Sequence, residues 1–261
     1  MIDKNNIEYC SNIIGGDYAD FNDYIIDEMQ KAELSNYFWF KARIDLIMDV
    51  FNEFVKSNAS ILDIGSGTGL IAKSMQSSGY DVSVADIHEK ALQKACDLGV
   101  KQCYLMDIYE PPFENEFDVI TLFDVIEHLD NDYKALHNVF QMIKPGGKLI
   151  LTVPAHQWLW SNHDVLAGHK RRYSKKMLIN IMESAGFNIL KCTFMFRMLL
   201  PLFIIRKYYG HVHQKNKEMF TISSIVNNAL ASICKFERRF GNWIPDIAGG
   251  SLMVVAIKPI R

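Results

Sequence analysis

The sequence predicts an α/β fold in which a parallel sheet carries helices on both faces. Three observations lead there. Short apolar runs alternate with segments of helical periodicity between Ser60 and Val153. A glycine turn, Gly65-Ser-Gly-Thr-Gly69, joins the first run to the helix after it. Acidic residues follow the ends of later runs, at Asp86, Asp107 and Asp124. Strand–helix alternation of this kind implies right-handed crossovers and a sheet whose strand ends share one edge.

The elements are justified in order. Residues 1–35 form an acidic lead-in with little pattern. Asn36 to Val55 is predicted helical, because Phe38, Ala42, Leu46, Val50 and Phe54 recur at helical spacing. Ser60–Ile64 is a buried strand, and Thr68–Ser78 a helix stopped by Gly79. Asp81–Asp86 alternates as a strand. Glu89–Leu98 is a helix before Gly99, Lys101–Met106 a third strand and Phe117–Phe123 a fourth. Asp130–Ile143 is a helix, and Pro145-Gly-Gly147 turns into a fifth strand, Lys148–Val153. Ala155–Gly168 reads as a loop rich in Trp and His. Ser174 caps a helix through Ala185, Phe187–Phe196 is a sixth strand and Ser251–Ile257 the last. Residues 197–249 are a basic, aromatic and helical insertion, with Met219–Phe240 as one amphipathic helix. The division is therefore 1–35, then 36–196 with 250–261, then 197–249.

Composition narrows the function classes. Of 261 residues, 49% are apolar, enough for a buried core and against wholesale disorder. Met1–Cys10 lacks a basic start and apolar run, so no signal peptide is expected. The longest apolar run, Met198–Ile205, is broken by Pro201, and a span needs roughly 20 apolar residues. Five scattered cysteines with no C-x-x-C pair point to cytoplasmic thiols rather than a zinc or disulfide framework. The net charge of −2 hides an asymmetry. Residues 1–164 hold 12 Lys and Arg against 26 Asp and Glu, whereas residues 165–217 hold 11 against 1. The basic segment suits a negatively charged acceptor or membrane surface. Nucleic acid is not expected as a partner, because no RNA-binding module is visible.

The glycine turn gives the first chemistry. Glycines let a ligand approach the backbone, and the following helix start offers N–H groups. The spacing is G-x-G-x-G, not the dinucleotide G-x-G-x-x-G. Asp86 stands 23 positions after Asp63, where a strand-end carboxylate can accept both hydroxyls of a ribose.

Four stretches in order resemble class I S-adenosylmethionine-dependent methyltransferases, closest to the branch of ubiquinone-biosynthesis O-methyltransferases. They are LDIGSGTG at 62–69, VADIHEKAL at 84–92, FDVITLFDVIEHL at 117–129 and IKPGGKLILTVP at 143–154. The resemblance implies a Rossmann-like sheet of seven strands, mostly parallel with the last antiparallel, and S-adenosylmethionine as cofactor. It implies that Asp63, Gly65, Ser66, Gly67 and Gly69 hold the methionine part and Asp86 the ribose. Ile87, Met106, Asp107 and Ile108 would surround the adenine, and Phe123 and Asp124 would line the site under the sulfonium. Tyr37-Phe-Trp39-Phe-Lys-Ala-Arg43 matches a further element, with Trp39 as a cap and Arg43 reaching the cofactor carboxylate.

Methyl transfer needs orientation, dryness and sometimes a base. Asp124-Val-Ile-Glu127-His128 is the most loaded stretch. His128 is one base candidate, with Glu127 beside it, and His163 in the following loop is another. Some relatives carry acid-x-x-Glu-His as Mg²⁺ ligands and many others carry it with no known metal, so Asp124, Glu127 and His128 form an alternative metal set by resemblance. The Glu and His as loop ties form a third reading. His156, Trp158 and Trp160 are acceptor candidates, and Arg171, Arg172 and Tyr173 suit an anionic group. The insertion reads as an acceptor cap, a peripheral membrane contact or a dimer surface. The expected reaction is methylation of a hydroxyl or amine on a small or lipid-like acceptor, by a monomer or homodimer. The alternative is a catalytically inactive scaffold with the same fold.

Overall fold

The computed structural model describes residues 7–10, 23–209 and 222–260. Parts of the lead-in and the middle of the insertion, including the expected helix start at Met219, lie outside them. In chain order the elements are β1 (Ile7–Tyr9), α1 (Asp23–Leu34), α2 (Phe38–Phe54), β2 (Ser60–Ile64), α3 (Leu70–Ser77), β3 (Asp81–Asp86), α4 (Glu89–Asp97), β4 (Cys103–Leu105) and β5 (Phe117–Phe123). They continue with α5 (Asp132–Met142), β6 (Ile143–Pro154), α6 (Asn162–Leu166), α7 (Lys175–Ser184), β7 (Asn188–Met195), α8 (Leu200–Tyr209), α9 (Ser224–Phe240) and β8 (Ser251–Ile257).

The strands form one sheet in the order β1-β4-β3-β2-β5-β6-β8-β7. The first six pair in parallel, and β8 runs antiparallel to both β6 and β7. The strand period explains the two faces. Ile61, Val84, Val119 and Ile150 point to one core with Phe51 of α2, Met75 of α3 and Leu92 of α4. Their neighbours Leu62, Ala85, Ile120 and Leu149 point to the other, with Leu136 of α5 and Leu178 of α7.

Among the described residues the sheet has eight strands, against the expected seven. The additional one, β1, is three residues long and adds to the free edge of β4. A second difference is at Ile143, which joins strand β6 rather than ending α5, since Phe117 pairs with it before the register shifts at Val119. The loop after β6 contains a short helix, α6.

Chain order reverses between β2 and β5, so the crevice at their carboxyl ends is where a ligand enters such a sheet. The glycine turn stands there. Gly69 has φ of 80°, and a Cβ on it would lie 2.6 Å from the Cβ and 2.9 Å from the Cα of Ala95 in α4. Gly79 has φ of 92° with open space around it. Gly69→Ala is therefore expected to lose clearly more stability than Gly79→Ala. The latter carries only the left-handed backbone penalty of about 1–2 kcal/mol, and urea denaturation of the two variants measures the difference.

Candidate active site

The turn after β2 is built so that backbone reaches the crevice. Gly65 has φ of 70°, and a side chain there would strike Val125 at 2.5 Å. The Gly65 N–H donates to Ala85 O at 2.8 Å. Asp86, the next residue, turns its buried carboxylate onto the same turn. It accepts from the N–H of Gly67 at 2.9 Å and from the N–H of His88 at 2.9 Å. Asp63 is buried in β2 opposite Thr121 of β5, whose hydroxyl donates to it at 2.6 Å.

Helix α1 lies over this turn. The Thr68 hydroxyl is 2.7 Å from both carboxylate oxygens of Glu33. Met29 reaches to within 3.9 Å of where a Cβ on Gly67 would lie. Asp27 is paired at 2.9 Å with both Lys90 and Lys94 of α4, which fixes α1 there. Glu33 carries no local signal in the sequence. Only tertiary packing brings it to the turn.

Burial shapes the electrostatics. It pushes Asp63 up to about 7, against the opposing Thr121 hydrogen bond and the nearby Arg43 charge. It pushes Glu33 up to about 7 as well. Asp86 is also raised by burial, against the backbone N–H groups that favour its charge. The Ser66 hydroxyl is buried with no partner among the described residues. Three carboxylates short of countercharge and an unsatisfied hydroxyl around a glycine turn form a receptor for a polar, cationic ligand. S-adenosylmethionine, with its sulfonium, ammonium and ribose, fits that donor set.

The remaining cofactor candidates border the same crevice. Met106 and Ile108 are buried, Ile87 is half-buried, and Asp107 accepts the Tyr109 N–H at 2.8 Å. Phe123 is buried at the end of β5. Arg43 does not stand ready for a ligand carboxylate, because it pairs with Asp124 at 3.0 Å. Asp124, held at φ of 56°, also accepts the Thr152 hydroxyl at 2.9 Å. Trp39 stacks on Phe196 at 4.1 Å and meets Phe203 edge-on, which ties the insertion to the core.

Beyond Asp124 the chain enters a second buried cluster. Glu127 is fully buried, and neither carboxylate oxygen has a partner among the described residues. Burial, then the Asp124 charge, raises it well above its ordinary value. His128 Nδ1 faces Gly168 O at 3.3 Å, which makes Nε2 the basic nitrogen. The His128 ring meets the His169 ring edge-on at 4.8 Å. His169 Nδ1 lies 2.8 Å from Asp164. Burial alone would raise Asp164, but hydrogen bonds from His169 and Arg172 outweigh it and hold it well below the carboxylate range.

This arrangement corrects several expectations. The set Asp124, Glu127 and His128 does not gather, since Asp124 is committed to Arg43 and Thr152. The donors of Glu127, His128 and His169 come within 4.8 Å of one another instead. Two imidazoles and one acid do not fit Mg²⁺, which takes oxygen ligands. Arg172 is spent on Asp164 at 2.7 and 3.0 Å. Arg171 pairs with Asp132 at 2.9 Å, and the fully buried Tyr173 donates to Asp132 at 2.7 Å. Arg171 and Tyr173 thus tie the loop to the start of α5, and Arg172 ties it to α6, so all three are committed within the protein. His163 is bonded by Arg206 of α8 at 3.1 Å, and burial with that charge presses it to about 3, a poor base. His156 lies between Phe194 and Trp158, with ring centroids at 5.0 and 5.2 Å. Trp158 is exposed and Trp160 half-buried.

Known proteins bear on the site. A family model described as a methyltransferase domain matches residues 38–191. The ubiquinone biosynthesis O-methyltransferase of Rickettsia canadensis is 33% identical over 114 residues, covering 42% of this chain and 48% of that one. Its counterpart from Azoarcus sp. is 32% identical over 99 residues, covering 35% and 42%. The chain thus spans about half the length of these curated relatives or less. Phosphoethanolamine N-methyltransferase 2 of Haemonchus contortus, solved with S-adenosyl-L-methionine, has a TM-score of 0.61 at 20% identity, over 93% of this chain and 59% of that one. The [4+2]-cyclase SpnF has a TM-score of 0.55 at 18% identity, over 83% and 82%. These structural likenesses concern the fold.

The raised carboxylates make stability depend on pH with a definite sign. Asp63 binds a proton up to about pH 7 when folded but, at its ordinary value, only up to about pH 4 when unfolded. Its contribution is therefore full below pH 4 and is lost as pH rises to 7. Asp63→Asn keeps the Thr121 contact and cannot ionise. Urea denaturation without ligand should show the variant gaining on the parent protein between pH 5 and 8, by on the order of 2–4 kcal/mol. A gap that stays constant with pH would contradict the assignment.

Proposed function

The chain belongs to the methyltransferase-domain family, and from that premise we propose that it transfers a methyl group from S-adenosylmethionine to a hydroxyl of a small or lipid-like acceptor. The carrying observation is the buried carboxylate set of Asp63, Asp86 and Glu33 around the glycine turn. The relatives' name, ubiquinone biosynthesis O-methyltransferase, supports oxygen as the acceptor atom.

S-adenosylmethionine supplies, when bound, a methyl group already activated on a sulfonium. The chain's own residues bind, orient and keep water out. Asp86, anchored on the N–H groups of Gly67 and His88, would hold the ribose hydroxyls. Asp63 and Glu33 set negative charge near the methionine end, and Ser66 offers its hydroxyl. Asp107 serves the adenine amino group. Phe123 closes the floor of the crevice. Asp124, fixed by Arg43 and Thr152, holds the turn that presents Glu127 and His128.

His128 is the base for the acceptor hydroxyl. Its proton sits on Nδ1 towards Gly168 O, and burial disfavours the charged form of Glu127 beside it. His163 is excluded by Arg206. No step needs a metal ion. Trp158 and Trp160 provide the apolar contact for the acceptor, on a loop that Arg171, Arg172 and Tyr173 hold in place.

Calorimetry with S-adenosylhomocysteine tests the binding half. The parent protein is expected to bind, and Asp86→Ala to bind at least about tenfold more weakly, the scale of charge-assisted hydrogen bonds. No heat with the parent protein, or equal affinity in the variant, would overturn the reading. Once an acceptor is in hand, His128→Ala should lower kcat by about 10²–10⁴-fold with cofactor affinity unchanged.

A further inference from the structure

We propose that the outward face of α9, with the turn that follows it, lies against an anionic lipid surface. Helix α9 is apolar on two sides. Its inner side is committed. Leu230, Ala231 and Cys234 join the core against α2. Asn227 accepts the Phe38 N–H at 2.8 Å, Glu237 accepts the N–H groups of Arg197 and Met198 at 2.8 and 2.9 Å, and Arg238 forks onto Asp49 at 2.6 Å. The helix is thus a fixed platform.

Among the described residues the outer side has no such ties to other elements. Ile225, Ala229, Ser232, Phe236 and Phe240 recur every three or four residues and are all exposed, Ile225 by 81%. Beyond the helix, Trp243 is exposed by 87% and Ile247 by 81%. Ten of the eighteen large apolar side chains exposed among the described residues fall within 197–249, so the apolar surface is concentrated in the insertion.

Charge chooses the occupant. Lys235 and Arg239, one turn apart, flank the stripe and are exposed. The only acid of α9, Glu237, is buried on the inner side. An apolar stripe with a cationic flank and a tryptophan at its end is the pattern of a helix lying in the membrane interface. Anionic headgroups neutralise such a flank, since basic side chains near the surface are drawn to them. A second copy of the chain would bring cations against cations. No helix among the described residues is long and apolar enough to cross a membrane, so the contact is one of lying on the surface.

The contact adjoins the acceptor side, since Arg206 and Lys207 of α8 in the same insertion bond His163 and the Trp158 carbonyl. It stands independently of the transfer reaction. Sedimentation of the full chain at low salt with vesicles of phosphatidylcholine alone, or of phosphatidylcholine and phosphatidylglycerol in equal parts, tests it. The protein is expected to sediment with the anionic vesicles only, with a blue shift of tryptophan fluorescence that Trp243→Ser removes. Phe236→Ser combined with Trp243→Ser, and Lys235→Glu combined with Arg239→Glu, should each weaken binding at least about tenfold, or about 1.4 kcal/mol. Unchanged S-adenosylhomocysteine binding in these variants separates a lost surface from a lost fold. Absence of binding to anionic vesicles, binding indifferent to the substitutions, or a stable dimer of the protein alone that Phe236→Ser disperses would overturn the proposal.

Discussion

The carboxylate of Asp86, seated on the N–H groups of Gly67 and His88, ties the end of β3 to the glycine turn after β2. The turn has no room for side chains at Gly65 or Gly69, so its shape depends on this anchor and on the backbone around it. Asp63 beneath and Glu33 above add carboxylates that burial keeps from ionising fully. Among the described residues Arg43 is the guanidinium that acts on Asp63 and Glu33, and it is divided between this group and Asp124. Such a site is strained electrostatically until something positive enters it. The geometry thus selects a cationic ligand and does so at a cost in the stability of the empty protein.

The loop after β6 is organised by a different charge. Asp164, fully buried, gathers Arg172, His169 and the Ser161 N–H. From it the contacts run through His169 to His128, and through the loop to Arg206 and Lys207 of α8. The basic run that made residues 165–217 stand out is therefore partly internal. Arg171 and Arg172 neutralise buried acids, while Lys235 and Arg239, further along, remain at the surface.

Much of the fold could be read from local pattern. The alternation of Ile61 with Leu62, or of Leu149 with Ile150, marks strands covered on both sides, and glycines mark the stops. The third dimension hid the rest. β1 is three residues whose reason to be extended is the edge of β4, about a hundred residues away. At the site, Asp63, Gly65, Gly67, Gly69 and Asp86 were legible because one turn and the next strand end carry them. Glu33 was not, because α1 lies over the turn through tertiary contacts, among them Asp27 with Lys90 and Lys94 of α4. Arg171, Arg172 and Tyr173 looked available to an acceptor because their partners, Asp132 and Asp164, belong to other elements. Asp124 failed as a metal ligand for the same reason, since Arg43 and Thr152 approach it from α2 and β6.

The central claim is that a cation completes the buried carboxylate site. Titration calorimetry with S-adenosylmethionine, in buffers of different ionisation enthalpy at a pH of about 6.5, below the range of its own α-amino group, tests it directly. Binding should drive Asp63 and Glu33 to ionise, so protons are released to the buffer, and Asp63→Asn should release fewer. Binding with no proton exchange, or with uptake, would contradict the account.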